Sequence, residues 1–128
     1  MTVGAAAPLQ EAAIAGLNFG EEYYSDLQKK YTEKRNLFLD GLDTIGIRHT
    51  IPQGAYYILL DISEFDYDSD LQFCELLAEK VGVGAVPGSS FFRENVNHLI
   101  RLHFAKKNET LYEALNRLSD VRNKIPRK

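Results

Sequence analysis

Arg101 sits where a charged side chain needs a reason, inside the run Leu99-Ile100-Arg101-Leu102-His103-Phe104. A guanidinium in apolar surroundings must find an anionic partner or carry a large desolvation cost. One answer is an edge-strand arginine that reaches water or pairs with a carboxylate such as Asp61. The other is a planar fork whose parallel N–H donors receive a carboxylate or phosphate from a ligand. The run itself is compatible with both.

Other residues with chemical potential are more easily assigned. Cys74 is the single cysteine, so it makes no intrachain disulfide and has no second thiol for a zinc or redox pair. A nucleophilic cysteine needs a neighbouring base, and the nearest histidine in sequence, His98, falls on another predicted element; Cys74 therefore reads as a small core residue. His49, His98 and His103 are scattered, and His98 and His103, five apart on one predicted strand, face opposite ways. No metal site is expected. Gly82-Val83-Gly84 has a nucleotide-like glycine spacing, but Pro87 stands where a third glycine is required, and no helix follows. Asn108-Glu109-Thr110 matches a glycosylation sequon and reads more simply as a helix start.

These residues must be placed by elements that the pattern of apolar positions predicts. Pro8 to about Asn18 is a short helix with proline in its first turn. From Glu21 to about Thr44, Tyr24, Leu27, Tyr31, Phe38, Leu42 and Ile45 recur at helical spacing and predict one buried face, opposite a solvated face with Lys29, Lys30, Glu33 and Lys34. Gly46 ends that helix. Ile47–Thr50 is a short strand candidate, and Ala55–Ile62 a strand buried on both faces. After the acidic loop Glu64–Asp70, Ser69 and Gln72 resemble a capping box for a helix whose Leu71, Cys74, Leu77, Ala78 and Val81 form one side. Gly82–Gly88 holds a short strand and turn. In the strand His98–Ala105, Ile100, Leu102 and Phe104 face one way, and Leu99, Arg101 and His103 the other. Asn108 caps a last helix with a stripe of Leu111, Leu115, Leu118 and Val121. The order predicts one α/β domain with a mixed sheet and helices on at least one face.

Composition narrows the function classes. The chain has 128 residues, 45% hydrophobic and 26% charged, enough for one domain with a real core. Its 15 basic and 18 acidic side chains leave a formal charge of −3, which gives no basic surface for nucleic acid. No stretch approaches the roughly 18 apolar residues of a membrane helix. The N-terminus lacks the basic region of a secretory signal, which predicts a cytoplasmic protein.

Four blocks carry a family likeness. Thr2-Val3-Gly4-Ala5-Ala6-Ala7-Pro8-Leu9-Gln10-Glu11-Ala12 is followed by Pro52-Gln53-Gly54-Ala55-Tyr56-Tyr57, by Val83-Gly84-Ala85-Val86-Pro87-Gly88-Ser89-Ser90-Phe91, and by Ile100-Arg101-Leu102-His103-Phe104-Ala105. In this order and spacing they resemble the C-terminal third of class I/II aminotransferases, pyridoxal-phosphate enzymes of the aspartate aminotransferase fold. The stretch Phe104 to Leu111, with Phe73-Cys74-Glu75, leans toward the kynurenine, glutamine and methionine aminotransferase branch. The resemblance implies the small C-terminal domain of a fold-type I enzyme, helices packed on a small mixed sheet. Residues 1–128 would then be a single domain, with 1–20 an inter-domain segment and 21–128 the small domain proper. It further implies that Arg101 grips the α-carboxylate of an amino-acid substrate, with Gly54 and Tyr56 and the Pro87-Gly88-Ser89 turn close to the pocket.

The same resemblance marks what the matched region does not contain. The family's cofactor-bound lysine, its pyridine-binding aspartate and its phosphate-binding residues belong to earlier segments, and none of Lys29, Lys30, Lys34, Lys80, Lys106, Lys107, Lys124 or Lys128 stands in a matching context. The chain is therefore expected to be an excised domain, inactive by itself and without bound pyridoxal phosphate, from a homodimeric enzyme acting on amino acids and 2-oxo acids. No catalytic, cofactor-binding or metal residue is assigned within it. A β-eliminating lyase or decarboxylating relative would use the same carboxylate grip. A non-enzymatic domain binding a protein through Glu64–Asp70 and the aromatic helix Tyr23–Phe38 is the reading from another class.

Overall fold

The computed structural model describes residues 4–128; Met1, Thr2 and Val3, the first two residues of the N-terminal block among them, lie outside the described residues. The chain forms two compact units, one ending at Thr32 and the other Glu33–Lys128.

In the first unit, α1 spans Ala7–Leu17, with proline in its first turn and no buried residue. Helix α2, Glu21–Ile45, begins here. Aromatic contacts dominate, with the rings of Phe19 and Tyr23 centred 4.6 Å apart. The Tyr24 hydroxyl donates to the Gly16 carbonyl at 3.4 Å. The expected buried face of α2 is realised only in part: Tyr24 and Leu27 are exposed, and burial is confined to Phe38, Leu39 and Leu42. A stripe is buried only where another layer meets it. For α2 that layer is α4 (Asn108–Ser119), and a Cβ added at Gly41 would run into the Leu115 side chain.

The second unit is built on a three-stranded sheet of order β1-β3-β2, where β1 is Tyr57–Asp61, β2 Val86–Pro87 and β3 Leu99–His103. Both pairings are antiparallel, with Leu59 opposite Arg101 and Val86 opposite Arg101. The expected α/β class stands, but the sheet is not mixed. Strands β1 and β2 run in the same direction, but β3 lies between them and is antiparallel to both. Strand β1 is likewise not buried on both faces: Ile58 and Leu60 are buried, while Tyr57 is exposed and Leu59 and Asp61 are intermediate. Residues 47–50 form no full strand. His49 makes a single bridge to Leu60, and the Leu59 amide donates to the Thr50 hydroxyl at 3.1 Å rather than extending a ladder.

One face of the sheet is committed to the core by Ile58, Leu60, Ile100, Leu102 and, just beyond the strand, Phe104. Slipping β3 by one residue would turn Ile100, Leu102 and Phe104 toward water at about 2 kcal/mol each and bury Arg101 instead. Register is thus decided by three apolar side chains. Helix α3, Asp70–Leu76, continues into a π-helical turn at Leu77–Val81 that ends on Gly82 with φ 78°. Its inner side is Asp70, Phe73, Cys74, Leu77 and Val81. Leu71 and Ala78, expected on that side, are exposed, because positions 70, 73, 74, 77 and 81 centre the buried face and leave both at its margin. Ser69 caps α3 by accepting the Gln72 amide, and Gln72 returns a bond to the Asp68 amide rather than to Ser69 itself. Asn108 does not cap α4. Lys107 holds the cap position without a side-chain bond, and Asn108 accepts from Lys34 at 2.9 Å.

The C-terminal segment is tied by Glu64, whose carboxylate receives Arg122 at 2.9 Å and Arg127 at 2.8 Å. Arg122 also donates to the Ile45 and Gly46 carbonyls at the end of α2. The Arg122 hydrogen bond, opposed by burial and aided by Arg127, holds the Glu64 carboxyl below its ordinary value. A depressed carboxylate adds stability above its unfolded pKa and loses it as pH falls through the folded one. Glu64→Gln should therefore cost about 1 kcal/mol near neutral pH and almost nothing in acid. Urea titrations of both proteins at the two pH values check this; an equal deficit in acid would refute it. Among the described residues no helix is long and apolar enough to cross a membrane.

Candidate functional site

Alternation along paired strands carries Tyr57 and Leu59 of β1, Val86 of β2, and Arg101 and His103 of β3 to the sheet face turned away from the core. Arg101 is half-buried there. Its Cζ lies 4.1 Å from the centre of the Tyr57 ring and 3.7 Å from that of Phe91. Ring contacts use the faces of a guanidinium plane, whereas hydrogen bonds use its N–H edges. The two aromatic rings therefore hold the cation without consuming the donors that a carboxylate needs.

The pairing of Arg101 with Asp61 considered from sequence does not occur. Register sets Leu59 opposite Arg101 and Asp61 opposite Leu99, and Asp61 pairs with Arg48 at 3.0 Å. Burial alone would raise the Asp61 carboxyl, but hydrogen bonds from the Ser63 hydroxyl and amide, with Arg48 and His98 nearby, bring it below its ordinary value. Among the described residues no carboxylate forms an ion pair with Arg101.

The other two expected substrate residues fare differently. The Tyr56 ring is centred 4.6 Å from Tyr57 and 6.4 Å from His103, so it joins the aromatic group beside Arg101. Gly54 lies in an exposed bend, with open space where a Cβ would be. The left-handed conformation in that bend falls on Ala55, φ 55°, and not on the glycine. A non-glycine residue held there is locally strained, by about 1 kcal/mol or more.

Three residues around the site escaped assignment from sequence. Tyr57 and Phe91 were visible only as members of motifs; their meeting at Arg101 requires strand register and the short helix Gly88–Phe91. Asp70, seen as the last residue of an acidic loop, is buried, 3% exposed. Its carboxylate accepts the Ser89 amide at 2.8 Å and the Ser89 hydroxyl at 3.0 Å. The adjacent Gly88 packs against the Leu99 backbone so closely that an added Cβ would overlap the Leu99 carbonyl oxygen. The turn carrying Phe91 is thus anchored from both α3 and β3.

Cys74 is buried, and burial, then Asp70 and Glu75, push its thiol up to about 11. Its thiolate is scarce at neutral pH, so iodoacetamide should modify it roughly a hundredfold more slowly than an unfolded cysteine. Mass spectrometry of native and denatured protein measures the ratio, and comparable rates would contradict a core role. No group of His, Cys, Asp and Glu suited to a metal occurs among the described residues. His49 instead contacts Asp43 at 2.9 Å.

The donor set does not fit pyridoxal phosphate. Lys34 is held by the Lys106 carbonyl at 2.6 Å and by Asn108. Lys124 pairs with Asp120 at 3.4 Å, and Lys128 lies over the Tyr67 ring. The remaining lysines are exposed, and no buried side-chain nitrogen or oxygen among the described residues lacks a partner. A cofactor-binding lysine needs a desolvated or cation-flanked amine, which none of these offers.

The site is thus an aromatic-held arginine on the open face of a sheet-and-helix domain, and sequence comparison gives the family of that domain. The profile for "Aminotransferase class I and II" matches residues 1–118. The chain belongs to that family. It is 33% identical over 123 residues to the probable N-succinyldiaminopimelate aminotransferase DapC of Mycobacterium tuberculosis, covering 88% of this chain and 31% of that protein. It is 34% identical over 122 residues to the methionine aminotransferase of Escherichia coli K12, covering 94% and 32%. The solved N-succinyldiaminopimelate aminotransferase structure from Mycobacterium tuberculosis superposes with a TM-score of 0.80 at 35% identity, over 90% of this chain and 30% of that one. The chain thus spans about a third of the length of these curated relatives.

Proposed function

We propose that this chain is the substrate-carboxylate-binding domain of a pyridoxal-phosphate-dependent aminotransferase, an enzyme moving an amino group between an amino acid and a 2-oxo acid. In this reading residues 21–128 are the small domain proper and 1–20 the inter-domain segment. Arg101 receives the α-carboxylate of either substrate through two parallel N–H donors. Tyr56 and the Gly54 bend border the same pocket. The observation carrying the proposal is the guanidinium packed on Tyr57 and Phe91 with no carboxylate partner among the described residues. When bound, pyridoxal phosphate supplies the electron sink for cleavage at the substrate Cα; its seat lies outside these residues. The work of this chain is orientation, since holding the carboxylate at one end fixes the Cα–H bond relative to whatever acts on it.

The alternative from another class, a protein-binding surface on Glu64–Asp70 and the aromatic helix Tyr23–Phe38, loses support on the loop, where Glu64 and Asp70 are engaged within the domain, while Tyr23 and Tyr24 of the helix are exposed. A cytoplasmic homodimer belongs to the same proposal. The test is transamination itself. Full-length protein supplied with pyridoxal phosphate, a panel of amino acids and a 2-oxo acid should form the exchanged pair, read by chromatography. Ammonia and a 2-oxo acid released without amino transfer would instead indicate elimination, and the proposal would fail.

A further inference from the structure

We infer that Asp70 is a positioning residue for the Arg101 carboxylate site, acting through Ser89 and Phe91. The inference rests on the carboxylate-binding role of Arg101 proposed above. It begins from an anomaly: Asp70 is the one buried charged side chain among the described residues, and its hydrogen-bond donors belong not to an arginine or lysine but to Ser89 of the turn Gly88–Phe91. A buried carboxylate is expensive unless its oxygens are hydrogen-bonded, and here both oxygens are used on a single residue, Ser89. Two bonds to one residue, one to its backbone and one to its side chain, fix orientation as well as distance.

What that orientation controls is two residues further along. Phe91 closes the same short helix and places its ring 3.7 Å from the Arg101 Cζ. Gly88, pressed against the Leu99 carbonyl, denies the turn freedom on its other side. Phe91 is itself exposed, so little besides the turn holds it. If Asp70 releases Ser89, Phe91 is the group most able to move, and with it goes one of the two rings that hold the guanidinium plane. Arg101 then samples more orientations, and a bidentate carboxylate contact needs one. Substrate and product carboxylates should weaken together, while a step limited by the cofactor is little affected.

Full-length protein carrying Asp70→Asn, Phe91→Leu, the double substitution, and Arg101→Lys should be compared. The readouts are the amino-acid KM, kcat, and the dissociation constant of 3-phenylpropionate, a carboxylate without an amino group. Asp70→Asn should raise KM and the dissociation constant roughly tenfold with kcat changed less than about threefold. Phe91→Leu should do the same, and the double substitution little more than either alone, because both act on one contact. A merely structural Asp70 would lower the melting temperature and leave KM, the dissociation constant and the coupling to Phe91 unmoved; that result overturns the inference. If Asp70→Asn does not fold, Ser89→Ala removes the hydroxyl bond alone. It should weaken 3-phenylpropionate about threefold, and not at all when Phe91 is already leucine; equal weakening in both backgrounds overturns the inference. An Arg101→Lys protein with unchanged KM defeats the carboxylate reading itself and this inference with it. A raised KM in Arg101→Lys beside an unchanged one in Asp70→Asn defeats only the role of Asp70.

Discussion

Arg101→Lys is expected to lower kcat/KM of the full-length protein for amino acids by about ten- to a hundredfold, and Arg101→Ala by considerably more. Lysine keeps the charge but replaces a planar fork by a single ammonium, so a two-bond contact becomes one. It also loses the flat surface that lies on Tyr57 and Phe91. Alanine removes charge, fork and ring contacts together. The competing explanation makes a different prediction in size and kind. If Arg101 serves only to cover this face of the sheet, its contribution is the two cation–π contacts, about 1–2 kcal/mol of stability, and turnover is nearly unchanged. Because Asp61 is occupied by Arg48 and lies opposite Leu99, no ion pair among the described residues is broken by either substitution. Steady-state kinetics with circular dichroism separates the cases: near-wild-type kcat/KM in Arg101→Ala with an intact fold would falsify the site.

Gly88→Ala should damage both the fold and the site, although it adds only one methyl group. An added Cβ would overlap the Leu99 carbonyl oxygen and stand 2.9 Å from the Leu99 carbonyl carbon. The obstacle is backbone of β3, the central strand, and moving it would disturb pairing with β1 and β2. Overpacking of this kind costs about 1–3 kcal/mol. The softer response is for the turn to retreat, which stretches the Asp70–Ser89 bonds and lifts Phe91 from Arg101. We expect a lower melting temperature together with an amino-acid KM raised by roughly tenfold or more. Gly54→Ala is the contrast, since space is open there, and it should leave the melting temperature almost unchanged. A Gly88→Ala protein with wild-type stability and KM would show that the turn does not press on β3 in solution.

Periodicity in the sequence by itself determined that Ile100, Leu102 and Phe104 share a face opposite Arg101, and that Gly46 ends the long helix. It also made Cys74 a core residue and Ser69 a helix cap. Those properties depend on local spacing, on a backbone conformation that favours glycine, or on the size of one side chain. Motif order in the chain similarly carried the family, and with it the carboxylate role expected of an arginine that its apolar strand had already set apart. Tertiary structure alone decided the rest, because each remaining question concerned which element lies beside which. Alternation cannot reveal that β3 inserts between β1 and β2, so the sheet became antiparallel rather than mixed. Nor can it say that only one face of β1 is covered, that the first part of α2 leaves Tyr24 and Leu27 exposed, or that α3 continues into a π-turn. That Asp61 is not the partner of Arg101 turned on a register of two residues across the sheet. Tyr57 and Phe91 come from separate segments that only long-range packing brings to one arginine, and Asp70, from a third, holds the turn that carries Phe91.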